Sequence, residues 1–356
     1  MHGQAQDEKV SEAIAAWRPR FLLGGIDLGQ IERTLAKIER WDQWCAEWGR
    51  TAEHYEMIAG QAEEQGRMAT AAHAWRQASR CWHFAKFVFT ELPDQAMAAN
   101  ARAIACYARG AWALDPPATK VSIPYEGSAI PAYLRCPRSP APYAPLVVMI
   151  PGLDSVKEEM EVPSGYLLER GMTTLAIDGP GQGELETDFH LVPHFESVVS
   201  ACLDWAEAQS GLHVERVGLY GRSLGGHFAC RAAAFDPRVR ATVEVSGPYC
   251  MEEGWETQRE LTRLTFQRRS GAADAKQARA LAREFDLAKV AGLIASPLLV
   301  LHGMRDRLVT RAAAERIVAE AQRAELKVFE DGFHGLTNFP FEAGSLMADW
   351  LAGHLL

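Results

Sequence analysis

Hydrophobic positions in the first third of the chain follow a helical period. From about residue 26 to residue 113, apolar residues recur every three or four positions, as at Ile31, Leu35 and Ile38. Seven of the ten tryptophans lie before residue 115. Such aromatic stripes are typical of helix–helix packing, although they can also line a binding site or a dimer surface. The pattern predicts an all-helical N-terminal domain over residues 1–118.

The pattern changes after Pro116 and Pro117, which end the helical period. Beyond them, one hairpin-like alternating stretch and six short apolar runs are separated by helical patterns. The predicted hairpin and strands are Lys120–Cys136, Pro145–Ile150, Met172–Ile177, Val214–Tyr220, Val239–Val245, Pro297–Leu301 and Leu326–Phe329. Alternating strands and helices indicate an α/β domain over residues 119–356, with a mainly parallel sheet and ligands at the carboxyl ends of its strands.

Residues 250–292 interrupt this alternation. No strand pattern occurs in the interval, and its charged residues are distributed along a helical pattern. We predict a helical cap insertion that covers the catalytic edge of the sheet.

Composition narrows the class of protein. The chain has 356 residues, 48% of them hydrophobic, and a net charge of −9, which argues against nucleic-acid or anionic-membrane partners. The sequence shows neither a secretory h-region nor a run of about 18 apolar residues, so a cytoplasmic location is expected. Seven scattered cysteines without Cys-x-x-Cys spacing predict no disulfide framework and no zinc site. We find no metal-ligand spacing, phosphate loop or dinucleotide fingerprint, and therefore expect no cofactor.

The most informative motif is Gly221-Arg222-Ser223-Leu224-Gly225, which lies between a predicted strand and a predicted helix. A Gly-x-Ser-x-Gly sequence in that context is the nucleophile elbow of the α/β-hydrolase fold. The tight turn lifts the serine hydroxyl clear of the sheet at a helix N-terminus. Ser223 is therefore the predicted nucleophile.

A serine nucleophile needs a base, and in this fold the acid and the histidine follow the serine in that order. His334 lies in a loop after the last predicted strand, where a base can reach the elbow. His302 ends a strand, where a backbone role is equally compatible, and His354 lies two residues from the C-terminus. We assign His334 as the base.

The orienting acid should follow the preceding strand. Asp306 lies just past the end of the strand Pro297–Leu301 and is the predicted partner of His334. The rival, Asp331, is too near His334 in sequence to face its ring easily.

Backbone amides must stabilise the oxyanion that forms when the serine attacks. One should be the N–H of Leu224, directly after the nucleophile, and the other should come from the loop after an earlier strand. We assign the second to Leu153, with Asp154 as the alternative.

Several stretches together give the chain a family resemblance. They are the run Pro151–Glu159 with its Gly-Leu-Asp-Ser-x-Lys-Glu-Glu sequence, the elbow, the stretch from His302-Gly303 to Asp306, and the helical N-terminal segment. In these features the chain resembles the 2,6-dihydroxypseudooxynicotine hydrolase group and fungal polyketide-shortening hydrolases. The resemblance implies a homodimeric α/β-hydrolase with a helical N-terminal domain, a triad of Ser223, Asp306 and His334, and cleavage of carbon–carbon bonds in ketones. It also implies a substrate-binding glutamate from the cap, for which Glu252, Glu253 and Glu256 are the candidates.

Three functions compete on the sequence alone. A carbon–carbon hydrolase acting on an acyl-aromatic or β-dicarbonyl ketone is the hypothesis that the resemblance favours. A carboxylesterase, lactonase or amidase would use the same triad. For either hypothesis we expect a largely apolar small molecule as substrate. A non-catalytic binding protein is disfavoured because a complete triad is present.

Overall fold

The computed structural model describes residues 7–138 and 144–356. The chain divides into two compact units, Met1–Ala118 and Thr119–Leu356. In the described ranges, no helix combines the length and the apolar character needed to cross a membrane.

The N-terminal unit is built from α-helices. They are α1 (Glu8–Leu23), α2 (Leu28–Leu35), α3 (Trp44–Glu64), α4 (Met68–Lys86) and α5 (Pro93–Gly110). Aromatic residues fill the seams between these helices. The ring centroids of Phe21 and Phe84 lie 4.7 Å apart, and those of Phe21 and Trp48 lie 5.2 Å apart. The indole N–H of Trp44 donates to the Phe84 carbonyl at 2.8 Å, so the helically spaced tryptophans contribute to the core of this unit.

The helical region begins before residue 26, with α1, inside the range 1–118 predicted for the N-terminal helical domain. Asp7 caps α1 by accepting a hydrogen bond from the backbone N–H of Val10 at 2.8 Å. The apolar positions Val10, Ala13, Trp17 and Phe21 are spaced by three and four and are buried. Pro19, inside this helix, interrupts the sequence signal that the spacing otherwise gives.

The second unit holds one eight-stranded sheet. Its strands are β1 (Thr119–Tyr125), β2 (Ser128–Arg135), β3 (Pro145–Ile150), β4 (Thr173–Ile177), β5 (His213–Arg222), β6 (Val239–Val245), β7 (Leu298–Gly303) and β8 (Ala324–Phe329). Their order across the sheet is β1-β2-β4-β3-β5-β6-β7-β8. The pairs β1–β2 and β2–β4 are antiparallel, and all other pairs are parallel. The predicted α/β fold with a mainly parallel sheet is confirmed.

Helices cover both faces of the sheet. The helices of this unit are α6 (Glu161–Leu168), α7 (Glu196–Glu207), α8 (Leu224–Phe235), α9 (Glu260–Arg269), α10 (Ala275–Ala282), α11 (Arg311–Glu320) and α12 (Pro340–Leu355), of which α9 and α10 lie in the interval between β6 and β7. Strand β3 shows why the strand signals are continuous apolar runs. Leu146 and Val148 belong to one hydrophobic cluster, while Val147 and Met149 belong to the cluster on the other face. A strand buried on both faces favours apolar residues at successive positions.

The interval between β6 and β7 contains α9 and α10. Arg269, at the end of α9, donates to the Gly181 carbonyl at 3.1 Å and pairs with Glu186 at 2.8 Å. Gln258 donates to the Leu308 carbonyl at 3.0 Å. The interval therefore contacts the loops that follow β4 and β7, at the carboxyl ends of the strands.

Candidate active site

The elbow geometry explains the glycines around Ser223. Ser223 joins β5 to α8 with φ 57° and ψ −129°, a conformation that L-residues adopt only under constraint. A Cβ on Gly221 would lie 2.0 Å from the Gly225 carbonyl oxygen, and one on Gly225 would lie 2.1 Å from the Ile150 carbonyl oxygen. Both positions therefore require glycine if the turn is to stay this tight.

The structure brings Ser223, His334 and Asp306 together from three different loops. His334 Nε2 lies 2.8 Å from Ser223 Oγ, and His334 Nδ1 lies 2.8 Å from Asp306 Oδ2. Residues separated by 111 and 28 positions in the chain thus form one hydrogen-bonded line. This is the arrangement in which a histidine can remove the proton of a serine hydroxyl.

The Asp306 carboxylate is held in its charged form. Its side chain is buried, and its other oxygen, Oδ1, accepts the backbone N–H groups of Leu308 at 2.8 Å and Val309 at 3.0 Å. Burial alone would raise the pKa of Asp306. The facing His334 ring and the two N–H donors outweigh burial and lower that pKa. The carboxylate can therefore accept a hydrogen bond from the imidazole.

The residues considered as alternatives for the acid and the base have other partners. Asp331 forms an exposed ion pair with Arg305 at 2.5 Å. His302 is buried at the end of β7, and burial lowers its pKa. His354 Nδ1 contacts the Trp350 carbonyl within α12. None of the three contacts Ser223.

Backbone amides adjoin the serine from two directions. Leu224 is the first residue of α8, so its N–H lacks an intrahelical acceptor. The loop after β3 passes close to the serine, since a Cβ on Gly152 would lie 3.1 Å from Ser223 Cβ. Leu153 and Asp154 follow Gly152 in this loop. The two segments predicted to stabilise an oxyanion therefore lie beside the same side chain.

The three cap glutamates each pair with an arginine. Glu252 accepts from Arg279 at 2.7 Å, Glu256 accepts from Arg279 at 2.5 Å, and Glu253 pairs with Arg316. No carboxylate of the three touches the Ser223–His334–Asp306 group. Glu253 does line a small cavity of about 110 Å³ together with Asp306. A substrate-binding role for any of them stays a prediction, and that glutamate would have to leave its ion pair to perform it.

Sequence reasoning missed a buried charge cluster near the loop after β3. The ammonium of Lys157 lies 2.8 Å from Asp178, 2.8 Å from Glu158 and 2.6 Å from Glu184. Burial would lower the pKa of Lys157, but these carboxylates raise it well above its ordinary value. In the part of the chain that the structure describes, Glu158, Asp178 and Glu184 form the one group able to hold a metal ion. The Lys157 ammonium already supplies a cation to all three.

A second missed group lies beneath the elbow. Glu244 is buried on β6 beside Gly221 of β5, and its Oε1 accepts the backbone N–H of Gly247. Ser246, two residues after Glu244, accepts the backbone N–H of Gly335 at 3.1 Å. This hydrogen bond connects the turn after β6 to the loop that carries His334. Burial raises the pKa of Glu244 to about 8. The carboxyl is therefore mostly protonated at neutral pH.

This proton makes the stability of the fold depend on pH. Between the ordinary pKa of 4.5 and the raised value of about 8, the folded state holds a proton that the unfolded state releases, so stability falls as pH rises. Glu244→Gln keeps an oxygen for the Gly247 N–H and cannot ionise. We expect it to raise the free energy of unfolding by about 2 to 4 kcal/mol at pH 9, and by less than about 1 kcal/mol at pH 5.

Urea unfolding of the wild type and Glu244→Gln at pH 5, 7 and 9 measures this difference. The exposed strand residue Glu215, replaced by glutamine, is the matched control and should show no such trend. A Glu244→Gln effect that is the same at all three pH values would contradict the account of the buried proton.

Comparisons with known proteins match this chain to hydrolases. Residues 37–260 match the family described as "Esterase FrsA-like", and residues 183–342 match the "Dienelactone hydrolase family". The 2,6-dihydropseudooxynicotine hydrolase of Paenarthrobacter nicotinovorans is 30% identical over 311 residues, which are 86% of this chain and 83% of that protein. The α/β-hydrolase xenA of Xenoacremonium sinensis is 33% identical over 238 residues, 62% of this chain, and the match spans 56% of its length.

A solved structure extends the similarity to most of the chain. The crystal structure of a 2,6-dihydroxy-pseudo-oxynicotine hydrolase superposes with a TM-score of 0.86, at 28% identity and with 95% of both chains covered. The family match spans more than half of the chain, and the relatives with named activities are hydrolases. This chain therefore belongs to the FrsA-like esterase family of α/β-hydrolases.

Proposed function

We propose that the protein is a serine hydrolase that works through an acyl-enzyme on Ser223. The observation that carries the proposal is the line from Ser223 Oγ through the His334 ring to Asp306, with 2.8 Å at both steps. His334 accepts the hydroxyl proton while Oγ attacks the substrate carbonyl carbon. Asp306 holds the tautomer that leaves Nε2 free to accept this proton and stabilises the imidazolium.

Attack moves negative charge onto the former carbonyl oxygen. We assign its stabilisation to the N–H of Leu224, at the start of α8, and to the N–H of Leu153, in the loop after β3. The Asp154 amide, one residue further on, is the alternative. Fixed donors beside the developing charge lower the barrier because they need no reorganisation during the reaction.

We further propose that the scissile bond is the carbon–carbon bond of an acyl-aromatic or β-dicarbonyl ketone. When the tetrahedral intermediate collapses, the electron pair of that bond goes to the leaving carbon, where an enolate or ring tautomer delocalises it. The His334 imidazolium then returns its proton to the leaving group. Water, deprotonated by His334, attacks the acyl-enzyme, so that a carboxylic acid is released and Ser223 regains its proton.

Two observations support a ketone substrate. The chain resembles a group of which several members cleave carbon–carbon bonds in ketones, and the Gly-Leu-Asp-Ser-x-Lys-Glu-Glu stretch carries this resemblance in particular. A relative in sequence and a solved structure, each matching most of this chain, are hydrolases named for 2,6-dihydropseudooxynicotine and 2,6-dihydroxy-pseudo-oxynicotine. The second candidate is hydrolysis of an ester, lactone or amide, since the matching families are described as esterases and dienelactone hydrolases.

A substrate panel separates these activities. Purified protein is incubated with acyl-phenols and β-diketones beside aryl esters that carry the same acyl groups, and the products are identified by mass spectrometry. Ser223→Ala is the control for non-enzymatic breakdown. We expect serine-dependent release of a carboxylic acid and the protonated carbon fragment from at least one ketone. Rapid turnover of the esters with every ketone intact between about pH 6 and 9 would leave the esterase as the function.

A further inference from the structure

The side chain of Gln182 connects two loops at the carboxyl edge of the sheet. Gln182 follows β4 and is fully buried. Its Nε2 donates to the Pro151 carbonyl at 2.6 Å and to the Gly152 carbonyl at 3.0 Å, both in the loop after β3. Its Oε1 accepts the backbone N–H of Gly179 at 3.1 Å. Both amide hydrogens and the amide oxygen are thereby directed to backbone groups.

The loop that carries Gln182 is itself anchored. Asp178, at its start, accepts the backbone N–H of Lys157 at 2.8 Å through Oδ1. Its Oδ2 accepts the Lys157 ammonium at 2.8 Å and the backbone N–H of Glu184 at 3.1 Å. Gln182 therefore projects from a turn that is fixed at both ends by one buried carboxylate.

The two carbonyls that accept hydrogen bonds from Gln182 belong to peptide groups of the loop that carries the proposed oxyanion donor. The Gly152 carbonyl and the Leu153 N–H are parts of the same peptide group. That group is planar and trans, so its C=O and N–H point in opposite directions. A hydrogen bond that fixes the Gly152 oxygen consequently also fixes the direction of the Leu153 N–H. The second bond, to the Pro151 oxygen, fixes the preceding peptide group in the same way.

The fixed peptide group lies beside the nucleophile. A Cβ on Gly152 would approach Ser223 Cβ to 3.1 Å and Ser223 Oγ to 3.5 Å. The Gly152–Leu153 segment thus lies beside the place where the oxygen of a substrate carbonyl attacked by Ser223 would develop charge.

We propose that Gln182 is a positioning residue that aims the Leu153 N–H at the oxyanion. The inference rests on the proposed serine mechanism and adds to it the group that sets the geometry of the oxyanion hole. Gln182 does not touch the substrate. It acts through the peptide group between Gly152 and Leu153, and its contribution is therefore larger in the transition state than in substrate binding.

Gln182→Glu is the sharpest test, because it preserves size and the oxygen that accepts from Gly179 but replaces the donor by an acceptor. Removal of one oxyanion donor costs about 10²- to 10³-fold in kcat, and misdirecting one should cost part of that. We expect kcat on 4-nitrophenyl acetate to fall by about 10- to 100-fold with KM within about threefold. Affinity for an aryl trifluoromethyl ketone, whose adduct carries the oxyanion, should fall by a similar factor.

A pH profile separates positioning from a merely structural role. A carboxyl buried between two carbonyls has a raised pKa, and its protonated form regains a donor. The kcat of Gln182→Glu, relative to wild type, should therefore recover as pH falls from about 8 to 6. Gln182→Met, which has no donor at any pH, should show the same loss in kcat without this recovery.

Wild-type activity and labelling of Ser223 by a fluorophosphonate distinguish failure of the serine mechanism from failure of the positioning role. A wild type that neither turns over substrate nor is labelled would overturn both. An active wild type with both variants within twofold in kcat and in trifluoromethyl ketone affinity would overturn the role of Gln182 alone. Three other results would also overturn the role of Gln182, because each indicates a structural role. They are a loss that falls equally on KM, a loss in Gln182→Glu that does not recover at low pH, and failure of both variants to fold.

Discussion

Replacement of Ser223 by alanine is expected to lower kcat on the native substrate by about 10⁴-fold or more. Alanine removes Oγ, the atom that lies 2.8 Å from His334 Nε2 and that would form the acyl bond. The oxyanion donors and the substrate contacts remain in place, so KM should change far less than kcat. His334→Ala should give a loss of the same order, because the hydroxyl would keep its proton.

Steady-state kinetics on the best compound of the substrate panel measures these losses. Ser210, an exposed serine in the turn before β5, provides the matched control when it is replaced by alanine. Thermal melts should show all three variants folded. Retention of most of the activity by Ser223→Ala would mean that the covalent mechanism is wrong, even if the protein is a hydrolase.

The Asp306→Asn variant should lose about 10⁴-fold in kcat while its structure is kept. The asparagine oxygen can still accept the N–H groups of Leu308 and Val309, which leaves its NH₂ group facing His334 Nδ1. An NH₂ group can only donate, so it would select the tautomer with the proton on Nε2. That tautomer cannot accept the hydroxyl proton of Ser223.

Asp331→Asn is the control for this prediction, since Asp331 is the rival candidate for the orienting acid and pairs with Arg305 on the surface. We expect it to stay within about twofold of wild type. If Asp331→Asn lost most of its kcat while Asp306→Asn kept it, Asp331 and not Asp306 would be the orienting acid.

Strands could be predicted from the sequence wherever burial alone determines the pattern. Strands β3 and β6 begin and end at the predicted residues. Strand β3 is apolar throughout, and β6 has an apolar residue at every second position from Val239 to Val245. Strands β5 and β7 extend two residues beyond the prediction, to Arg222 and Gly303. Backbone pairing with neighbouring strands, such as Arg222 opposite Val245, continues there without apolar side chains. A hydrophobic pattern carries no signal for such pairing.

The site residues also divide into those that the sequence pattern reveals and those that only backbone contacts define. Ser223, Asp306 and His334 could be located because each follows a strand and because strand ends meet at one edge of a parallel sheet. Gln182 could not, because its partners are backbone carbonyls 30 and 31 residues away, and every residue type offers a carbonyl. Lys157 stands in the Gly-Leu-Asp-Ser-x-Lys-Glu-Glu stretch and Asp178 directly follows a predicted strand, but only the fold shows that the two side chains are buried against each other.

The most direct test of the central claim is intact-protein mass spectrometry after reaction with a fluorophosphonate, followed by peptide mapping. The serine mechanism predicts one adduct per chain, located on Ser223. Labelling should be abolished in Ser223→Ala, strongly slowed in His334→Ala and unchanged in Ser210→Ala. Absence of any adduct on the wild type, or an adduct that persists at another residue in Ser223→Ala, would contradict the account.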